Sequence, residues 1–156
     1  MKNTTLCLLR KDGHILLATK KRGFGAGKLN GAGGKIQEGE TVQEAALREM
    51  YEEIGVRSSS EHLEKVAEIK FFFKEKPEWD IHMRVFFVRS WIGEPTESEE
   101  MQPEWFPLNE IPYERMWSDD IHWLPLVLAG KKIEAECHFN LDDETVERFE
   151  AREIFS

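Results

Sequence analysis

Residues 34–56 read GKIQEGETVQEAALREMYEEIGV, and this stretch carries the clearest structural signal in the chain. Thr41 followed three residues later by Glu44 forms a capping box, in which each side chain bonds the other residue's backbone amide. Gly55 suits the left-handed conformation that commonly follows the last turn of a helix. The spacing therefore predicts a helix over Val42–Ile54, about 20 Å long at 1.5 Å per residue.

Three acidic side chains share one face of this helix. On a helical wheel, Glu49, Glu52 and Glu53 fall on a stripe beside the apolar stripe. Like charges at this spacing repel by roughly 0.2–0.5 kcal/mol per pair on an isolated helix. A divalent cation would relieve the repulsion, and Mg²⁺ prefers carboxylate and phosphate oxygens. The alternative is a solvated acidic face, because 24 of the 156 residues are Glu.

The spacing of these residues relative to their neighbours favours the cation. Gly34, Glu40, Arg48–Glu49, Glu52–Glu53 and Gly55 form the pattern G-x5-E-x7-R-E-x-x-E-E-x-G. A chain of this composition would contain the pattern by chance roughly 2 times in 100,000. The pattern resembles the Nudix box, without substitution. The resemblance implies an α/β (α+β) fold with a mixed β-sheet sandwiched between helices. It also implies hydrolysis of a nucleoside diphosphate linked to another group.

The same resemblance implies a Mg²⁺ site, in which Mn²⁺ can substitute. The implied metal ligands are the carbonyl of Gly33 and the carboxylates of Glu49, Glu52, Glu53 and Glu100. Glu53 and Glu52 would also be catalytic, with one glutamate acting as base, and Arg48 would orient a neighbouring carboxylate. Metal is needed because water must attack a phosphorus that is surrounded by anionic oxygens.

The remaining sequence predicts strands, one glycine-rich loop and a second helix within a single domain, residues 1–156. Strands are predicted at residues 4–9, 15–19, 66–73, 81–91, 133–139 and 145–154, with a hairpin turn at residues 11–13. Residues 23–34 hold 6 of the 11 glycines, which predicts a loop that approaches a ligand closely or is merely flexible. A short helix is predicted at residues 121–128, capped from residues 118–120.

Residues 20–35, 97–106 and 116–123 resemble one Nudix subfamily, the MutT-homologue enzymes that hydrolyse oxidised purine nucleoside triphosphates such as 8-oxo-dGTP. The resemblance breaks at residues 77–85, PEWDIHMRV. The implied substrate-binding residues are Thr5, Lys20, Phe24, Asn30, Gly34, Lys35, Phe71, Met101, Trp117, Asp119, Asp120 and Trp123. A tryptophan can stack on any base, while an amide and two carboxylates, one of them protonated, can discriminate its edge. In the alternative interpretation residues 118–120 only cap a helix and Trp117 is a core residue.

Composition limits the partners that we expect. The net charge of −9 argues against binding a nucleic-acid polymer through a basic face. No apolar stretch reaches the roughly 20 residues of a membrane helix, and the first residues lack the apolar block of a signal peptide. We therefore expect a cytoplasmic monomer that binds a small-molecule nucleotide and neither membranes nor nucleic acid. Cys7 and Cys137 are expected to be buried thiols.

Two other functions fit parts of the sequence. Another Nudix enzyme, acting on dinucleoside polyphosphates or nucleotide sugars, would share the box but not the Trp-x-Asp-Asp segment at residues 117–120. A non-catalytic Nudix-like module that senses nucleotides would be expected to lose box glutamates, and all four are present here.

Overall fold

The computed structural model describes residues 1–154. Its strands and α-helices are β1 (Lys2–Lys11), β2 (His14–Lys20), β3 (Leu29–Asn30), β4 (Ala32–Lys35), α1 (Val42–Ile54), β5 (Leu63–Phe73), β6 (Ile81–Val88), β7 (Met101–Pro107), α2 (Asp120–Leu128), β8 (Ile133–Phe139) and β9 (Val146–Glu153). Short 3-10 turns occupy Ser60–His62, Pro77–Trp79 and Tyr113–Arg115.

The strands form a mixed sheet in the order β4-β1-β6-β5-β8-β9. The β1–β6 and β5–β8 pairs are parallel, and the other pairs are antiparallel. At its far end β1 also pairs with β2, which carries β3 and β7 on its two edges. Because β1 pairs with both β4 and β2, it joins the two parts of the sheet.

The two faces of the sheet carry separate apolar cores. Leu6 and Leu8 of β1 point into the core that contains Trp123 of α2. Cys7 and Leu9, which alternate with them, point into the core beneath α1. This alternation is the period-2 pattern of a strand that is buried on both faces. The sheet is therefore sandwiched between helices, and the predicted α+β class is confirmed.

Several predicted elements are confirmed. α1 spans the predicted residues, with both hydrogen bonds of the capping box and a left-handed Gly55 at φ 75°. β1 and β2 form the predicted hairpin, whose turn holds Asp12 at φ 50° and Gly13 at φ 75°. β5 pairs with β6 and β8 pairs with β9, although β6 ends at Val88, before the predicted residue 91.

The prediction that residues 23–34 form one loop is wrong in its second half, which contains β3 and the start of β4. A Cβ at Gly33 would lie 1.9 Å from the carbonyl oxygen of Thr5, so this glycine allows two strands to approach closely. β7 was not predicted, because its sequence MQPEWFP contains two prolines. It tolerates them as an edge strand that pairs only with β2 among the described residues.

Both cysteines are buried free thiols, as predicted. Burial raises the pKa of Cys7 and of Cys137 to about 12, so both remain protonated at neutral pH. Across residues 1–154, no helix has the length and apolar character needed to traverse a bilayer.

Candidate active site

α1 fixes the direction of the acidic side chains. Thr41 Oγ1 accepts a hydrogen bond from the Glu44 amide at 3.1 Å, and Glu44 Oε1 accepts one from the Thr41 amide at 2.8 Å. These bonds define where the helix begins, and Gly55 defines where it ends. The apolar stripe of α1 packs on β1 and β4. The neighbouring carboxylate stripe therefore lies beside the glycines of β4.

Glu53 is the box glutamate held most closely to the backbone. Its Oε1 accepts a hydrogen bond from the amide of Gly33 at 2.7 Å. Burial raises the pKa of Glu53 to about 7, although the Gly33 amide and Lys20 favour the ionised form. The charges of Glu49 and Glu100 raise this pKa further. Excess negative charge therefore surrounds this carboxyl group, and a bound cation would stabilise its ionised form.

Glu49 packs against the second glycine of β4. A Cβ at Gly34 would lie 2.7 Å from Glu49 Oε1 and 2.8 Å from its Cδ. The absence of a side chain at Gly34 therefore makes room for the carboxylate against the strand backbone. Gly33 and Gly34 together bring Glu53 and Glu49 to the same short stretch of β4.

Arg48 lies at the centre of an ion-pair network. Its Nε donates to Glu40 Oε2 at 2.7 Å and its Nη2 to Glu40 Oε1 at 3.0 Å, which is a bidentate pair. Its Nη1 donates to Glu49 Oε1 at 2.8 Å and to Glu52 Oε2 at 3.3 Å. Nη2 also donates to the carbonyl of Lys35 at 3.1 Å. Arg48 therefore partly compensates the repulsion between box carboxylates and fixes the orientation of Glu49.

Glu100 lies near this cluster but is paired with an arginine. Arg22 donates to Glu100 Oε1 from Nη2 at 2.6 Å and from Nε at 3.0 Å. The loop before β7 is tied to α1, because Ser98 Oγ donates to the carbonyl of Glu53 at 2.8 Å. The segment that carries Glu100 is therefore anchored beside Glu53.

The donor set suits a hard divalent cation. Within residues 1–154, no three His, Cys, Asp or Glu side chains are arranged as a ready metal-binding group. Arg48, Arg22 and the Gly33 amide instead hold the carboxylates of the box and of Glu100. All the donors are oxygens, and burial first, then the charges of Glu49 and Glu100, raises the pKa of Glu53, so the residues fit a cation such as Mg²⁺. Glu52 and Glu100 would join Glu49 and Glu53 by exchanging an arginine partner for the ion.

A cavity of about 450 Å³ opens on the face of the sheet that carries α2. Such a volume suits a small-molecule ligand. Most of its wall is aromatic or aliphatic. The residues that line it are Lys2, Thr4, Leu6, Phe24, Asn30, Lys35, Phe71, Phe73, Trp79, Ile81, Met83, Trp117, Asp119, Asp120, Phe139 and Asp143.

Asp119 and Asp120 are buried acidic residues of this cavity, with 6% and 3% of their surfaces exposed. Asp119 Oδ2 accepts a hydrogen bond from Trp123 Nε1 at 2.9 Å. Asp120 Oδ2 is buried and has no hydrogen-bond partner among the described residues. Burial raises the pKa of Asp119, and burial together with the charge of Asp119 raises that of Asp120 well above its usual range. Asp120 is therefore the better candidate to hold a proton.

The prediction that side chains of residues 118–120 cap α2 is wrong, and with it the alternative interpretation in which capping is their only role. Asp119 stands at the N-cap position, but its side chain makes no capping hydrogen bond. Its carboxylate is engaged by Trp123, four residues along the helix. The acidic pair is thus free of a capping role.

Trp117 is held by the glycine-rich loop. Its ring lies 5.2 Å from that of Phe24 at an angle of 34°, and Lys28 Nζ lies 5.1 Å from its centroid. Gly25 has φ +86°, and a Cβ there would lie 2.7 Å from Trp117 Cζ2. This part of the loop needs glycine because its backbone lies against the indole.

The cavity contains part of the predicted substrate set. Seven predicted residues line it: Phe24, Asn30, Lys35, Phe71, Trp117, Asp119 and Asp120. Five do not: Thr5, Lys20, Gly34, Met101 and Trp123. Thr4 and Leu6 line the cavity instead of Thr5, because alternate residues of β1 face opposite sides of the sheet. Met101 lies in the core beneath α1, and Lys20 acts on the charge of Glu53.

Some lining residues were missed by the sequence analysis. Phe73 follows Phe71 by two residues, and Ile81 lies opposite Phe71 in the β5–β6 register, so strand periodicity could have identified both. Trp79 and Asp143 lie in connections between strands, where no periodicity applies.

Comparison with known proteins identifies the family. The model of the NUDIX domain matches residues 1–127. Oxidized purine nucleoside triphosphate hydrolase of Mus musculus is 46% identical over 153 residues, covering 97% of this chain and 95% of its own length. The protein of the same name from Danio rerio is 46% identical over 144 residues, covering 92% and 90%. The crystal structure of the MutT protein from Bacillus halodurans superposes with a TM-score of 0.80 at 21% identity, covering 97% of each chain.

Proposed function

This chain belongs to the Nudix family, and from that premise we propose that it hydrolyses oxidised purine nucleoside triphosphates, such as 8-oxo-dGTP and 2-oxo-dATP, to the nucleoside monophosphate and pyrophosphate. The names of the 46% identical vertebrate relatives support this substrate class. Its cellular role would be to remove damaged nucleotides from the precursor pool.

The observation that carries the proposal is that one strand joins the cavity to the acidic cluster. Lys35 of β4 lines the cavity, and its carbonyl accepts a hydrogen bond from Arg48 at 3.1 Å. Gly33, two residues earlier, donates to Glu53. A nucleotide with its base in the cavity would therefore extend its phosphates along β4 towards the box glutamates.

Nudix hydrolases generally use a divalent metal ion, and we propose Mg²⁺, with Mn²⁺ as a substitute. The residues that would hold it are Gly33, through its carbonyl, and Glu49, Glu52, Glu53 and Glu100. When bound, the ion neutralises phosphate charge and lowers the pKa of the attacking water.

The protein's own groups would orient the reactants and move the proton. Glu53 or Glu52 takes the proton from water as general base. Arg48 keeps Glu49 and Glu52 in place through the hydrogen bonds described above. Lys20 would offset the phosphate charge, as it already favours the ionised form of Glu53.

The cavity would bind the base. Trp117 supplies a flat aromatic surface for stacking, which contributes about 1–3 kcal/mol per base. Asp120, when protonated, donates to a purine oxygen, while Asp119 and Asn30 provide further polar contacts at the base edge. We also propose that the protein acts as a cytoplasmic monomer on free nucleotides, without a nucleic-acid or membrane partner.

Product analysis tests the reaction. Purified protein is incubated with Mg²⁺ and 8-oxo-dGTP, 2-oxo-dATP, dGTP or dATP, and pyrophosphate and orthophosphate are measured separately. We expect pyrophosphate and a monophosphate, with the oxidised purines preferred. Release of orthophosphate with a nucleoside diphosphate would reject the reaction type. In a parallel incubation that measures nucleoside monophosphate, faster cleavage of a dinucleoside polyphosphate or a nucleotide sugar than of any of these triphosphates would reject the substrate class.

A further inference from the structure

Trp79 forms a wall of the cavity within the segment where the sequence departs from the subfamily. It ends the 3-10 turn Pro77–Trp79 between β5 and β6. Its ring packs edge-on against Phe73, with centroids 5.9 Å apart, and against Phe24, with centroids 6.3 Å apart. Both neighbours also line the cavity. Trp79 therefore connects the β5 wall to the exposed ring of Phe24.

Lys76 holds Trp79 against a second connection of the sheet. Its Nζ lies 4.0 Å from the centroid of the Trp79 ring and 2.8 Å from Asp143 Oδ2. Asp143 is 67 residues away in sequence, and only 16% of its side chain is exposed. The ammonium group thus makes a cation–π contact and a partly buried ion pair at once, and Asp143 also lines the cavity.

Several hydrogen bonds hold the conformation of the connection that carries Asp143. Asp142 Oδ1 accepts hydrogen bonds from the amides of Glu144 and Thr145, each at 2.9 Å. The Asn140 carbonyl accepts one from the Asp143 amide at 3.0 Å, which holds Asp143 at φ 59°. This left-handed conformation is uncommon for a residue other than glycine, and the surrounding hydrogen bonds maintain it. Asp143 is therefore a fixed anchor for Lys76.

The same connection also contacts the other tryptophan of the cavity. Ser118 Oγ donates a hydrogen bond to the carbonyl of Glu144. Ser118 directly follows Trp117, whose ring lines the cavity. Residues 140–145 therefore link Trp79, through Asp143 and Lys76, to Trp117, through Glu144 and Ser118.

We propose that Lys76 and Asp143 are positioning residues that hold Trp79 at a set separation from Trp117, so that the cavity selects a two-ring base over a one-ring base. The selectivity rests on the proposed function, since it assumes that the cavity binds the base of the nucleotide. A two-ring base offers more area to both walls, so displacement of one wall weakens its binding more than that of a pyrimidine.

Three single variants test the positioning role. Lys76→Met keeps the aliphatic stem but removes the charge. Asp143→Asn removes the charge and retains a residue type that tolerates φ > 0. Lys74→Met is the matched control, because the Lys74–Glu147 ion pair also joins the end of β5 to β9, and neither residue lines the cavity.

We expect Lys76→Met and Asp143→Asn each to raise KM for the best purine triphosphate about 5-fold, with kcat changed less than about twofold. The KM for a pyrimidine triphosphate should change less. Lys76→Arg, which keeps the charge, should have the wild-type KM. The double variant Lys76→Met/Asp143→Asn should have a KM no higher than that of either single variant, because both changes break the same ion pair. The control should match wild type. An equal rise in KM for purine and pyrimidine triphosphates would overturn the proposed selectivity, and so would a rise in KM for Lys74→Met like that of the test variants.

A spectroscopic measurement separates this proposal from the proposed function. The protein has 5 Trp, so 5-fluorotryptophan labelling gives a resolvable fluorine NMR spectrum, with the Trp79 resonance assigned from Trp79→Phe. We expect Lys76→Met and Asp143→Asn to shift or broaden that resonance and Lys74→Met to leave it unchanged. An unchanged Trp79 resonance in both test variants would overturn the positioning role. If wild type does not hydrolyse purine triphosphates, the proposed function fails, while this spectrum still decides the positioning role.

Discussion

The indole Nε1 of Trp123 donates a hydrogen bond to Asp119 Oδ2 at 2.9 Å, in a buried environment. This bond favours the ionised form of Asp119 over the protonated one. Asp120, beside it, has a buried oxygen without a partner among residues 1–154, and burial together with the charge of Asp119 raises its pKa. The hydrogen bond from Trp123 therefore favours ionisation of Asp119, while the neighbouring Asp120 has no such bond and is the better candidate to hold a proton.

Asp120→Asn should make the free energy of unfolding less dependent on rising pH. The pKa of Asp120 is raised above its unfolded value of 3.8, so the folded state binds more protons and stability falls as pH rises through the folded pKa. Asparagine cannot ionise, so this part of the fall disappears. The effect is measured by urea unfolding of wild type and variant between pH 5 and pH 9, in steps of about one pH unit. Asp12→Asn, in the β1–β2 turn, is the surface control, and parallel profiles for wild type and Asp120→Asn would contradict the assignment.

Asp119→Asn and Asp120→Asn should alter substrate ranking more than the rate on the best substrate. Each replacement fixes a donor and an acceptor at the base edge. The measurement is kcat/KM for 8-oxo-dGTP, 2-oxo-dATP and dGTP on each variant. If the ratios between substrates stay within about twofold of wild type for both variants, the pair does not read the base.

Glu53→Gln should fold normally but lose turnover by about 10³-fold or more, because losing a metal ligand or base removes several kcal/mol of transition-state stabilisation. Turnover is measured at saturating Mg²⁺, and the fold is checked by thermal unfolding. The exposed Glu61→Gln serves as the control and should retain wild-type rate. A variant that keeps more than roughly a tenth of wild-type turnover would show that Glu53 is not essential to the site.

Gly33→Ala should chiefly lower the stability of the protein, and Gly34→Ala should chiefly lower its turnover. At Gly33 a Cβ meets the Thr5 backbone at 1.9 Å, so the β1–β4 pair must separate and stability should fall by about 3 kcal/mol or more. At Gly34 it meets the Glu49 carboxylate, which can move, so stability should fall less while turnover drops. Denaturant unfolding and kcat on both variants separate the two effects. Equal destabilisation would contradict the difference between backbone and side-chain contact.

Trp117→Ala should chiefly raise KM, because stacking stabilises the bound substrate and the transition state alike. Trp117→Phe keeps an aromatic face and should raise KM less than Trp117→Ala does. Steady-state kinetics on the best purine triphosphate measures both. An unchanged KM for Trp117→Ala would show that this ring acts only in packing.

The local elements were predictable because their causes lie within a few residues. The capping box and Gly55 set the two ends of α1 through contacts between residues three or four apart. The positive φ angles of Asp12 and Gly13 specify the turn of the β1–β2 hairpin. The box pattern of residues 34–55 likewise predicted the family, which the comparisons confirmed. By contrast, a one-residue offset separates Thr4, which lines the cavity, from the predicted Thr5. Strand alternation turns such an offset into opposite faces of the sheet.

The sequence by itself determined α1, the hairpin and the spacing of the box, because hydrogen bonds and helical periodicity act between near neighbours. Only the tertiary structure decided that Glu53 is buried against Gly33, that Trp123 engages Asp119 in place of a helix cap, and that Lys76 meets Asp143 across 67 residues. These contacts set the charge states and the walls of the site. They depend on which strands pair and on how the turns between the strands approach each other. No local sequence pattern encodes contacts between residues so far apart in the chain.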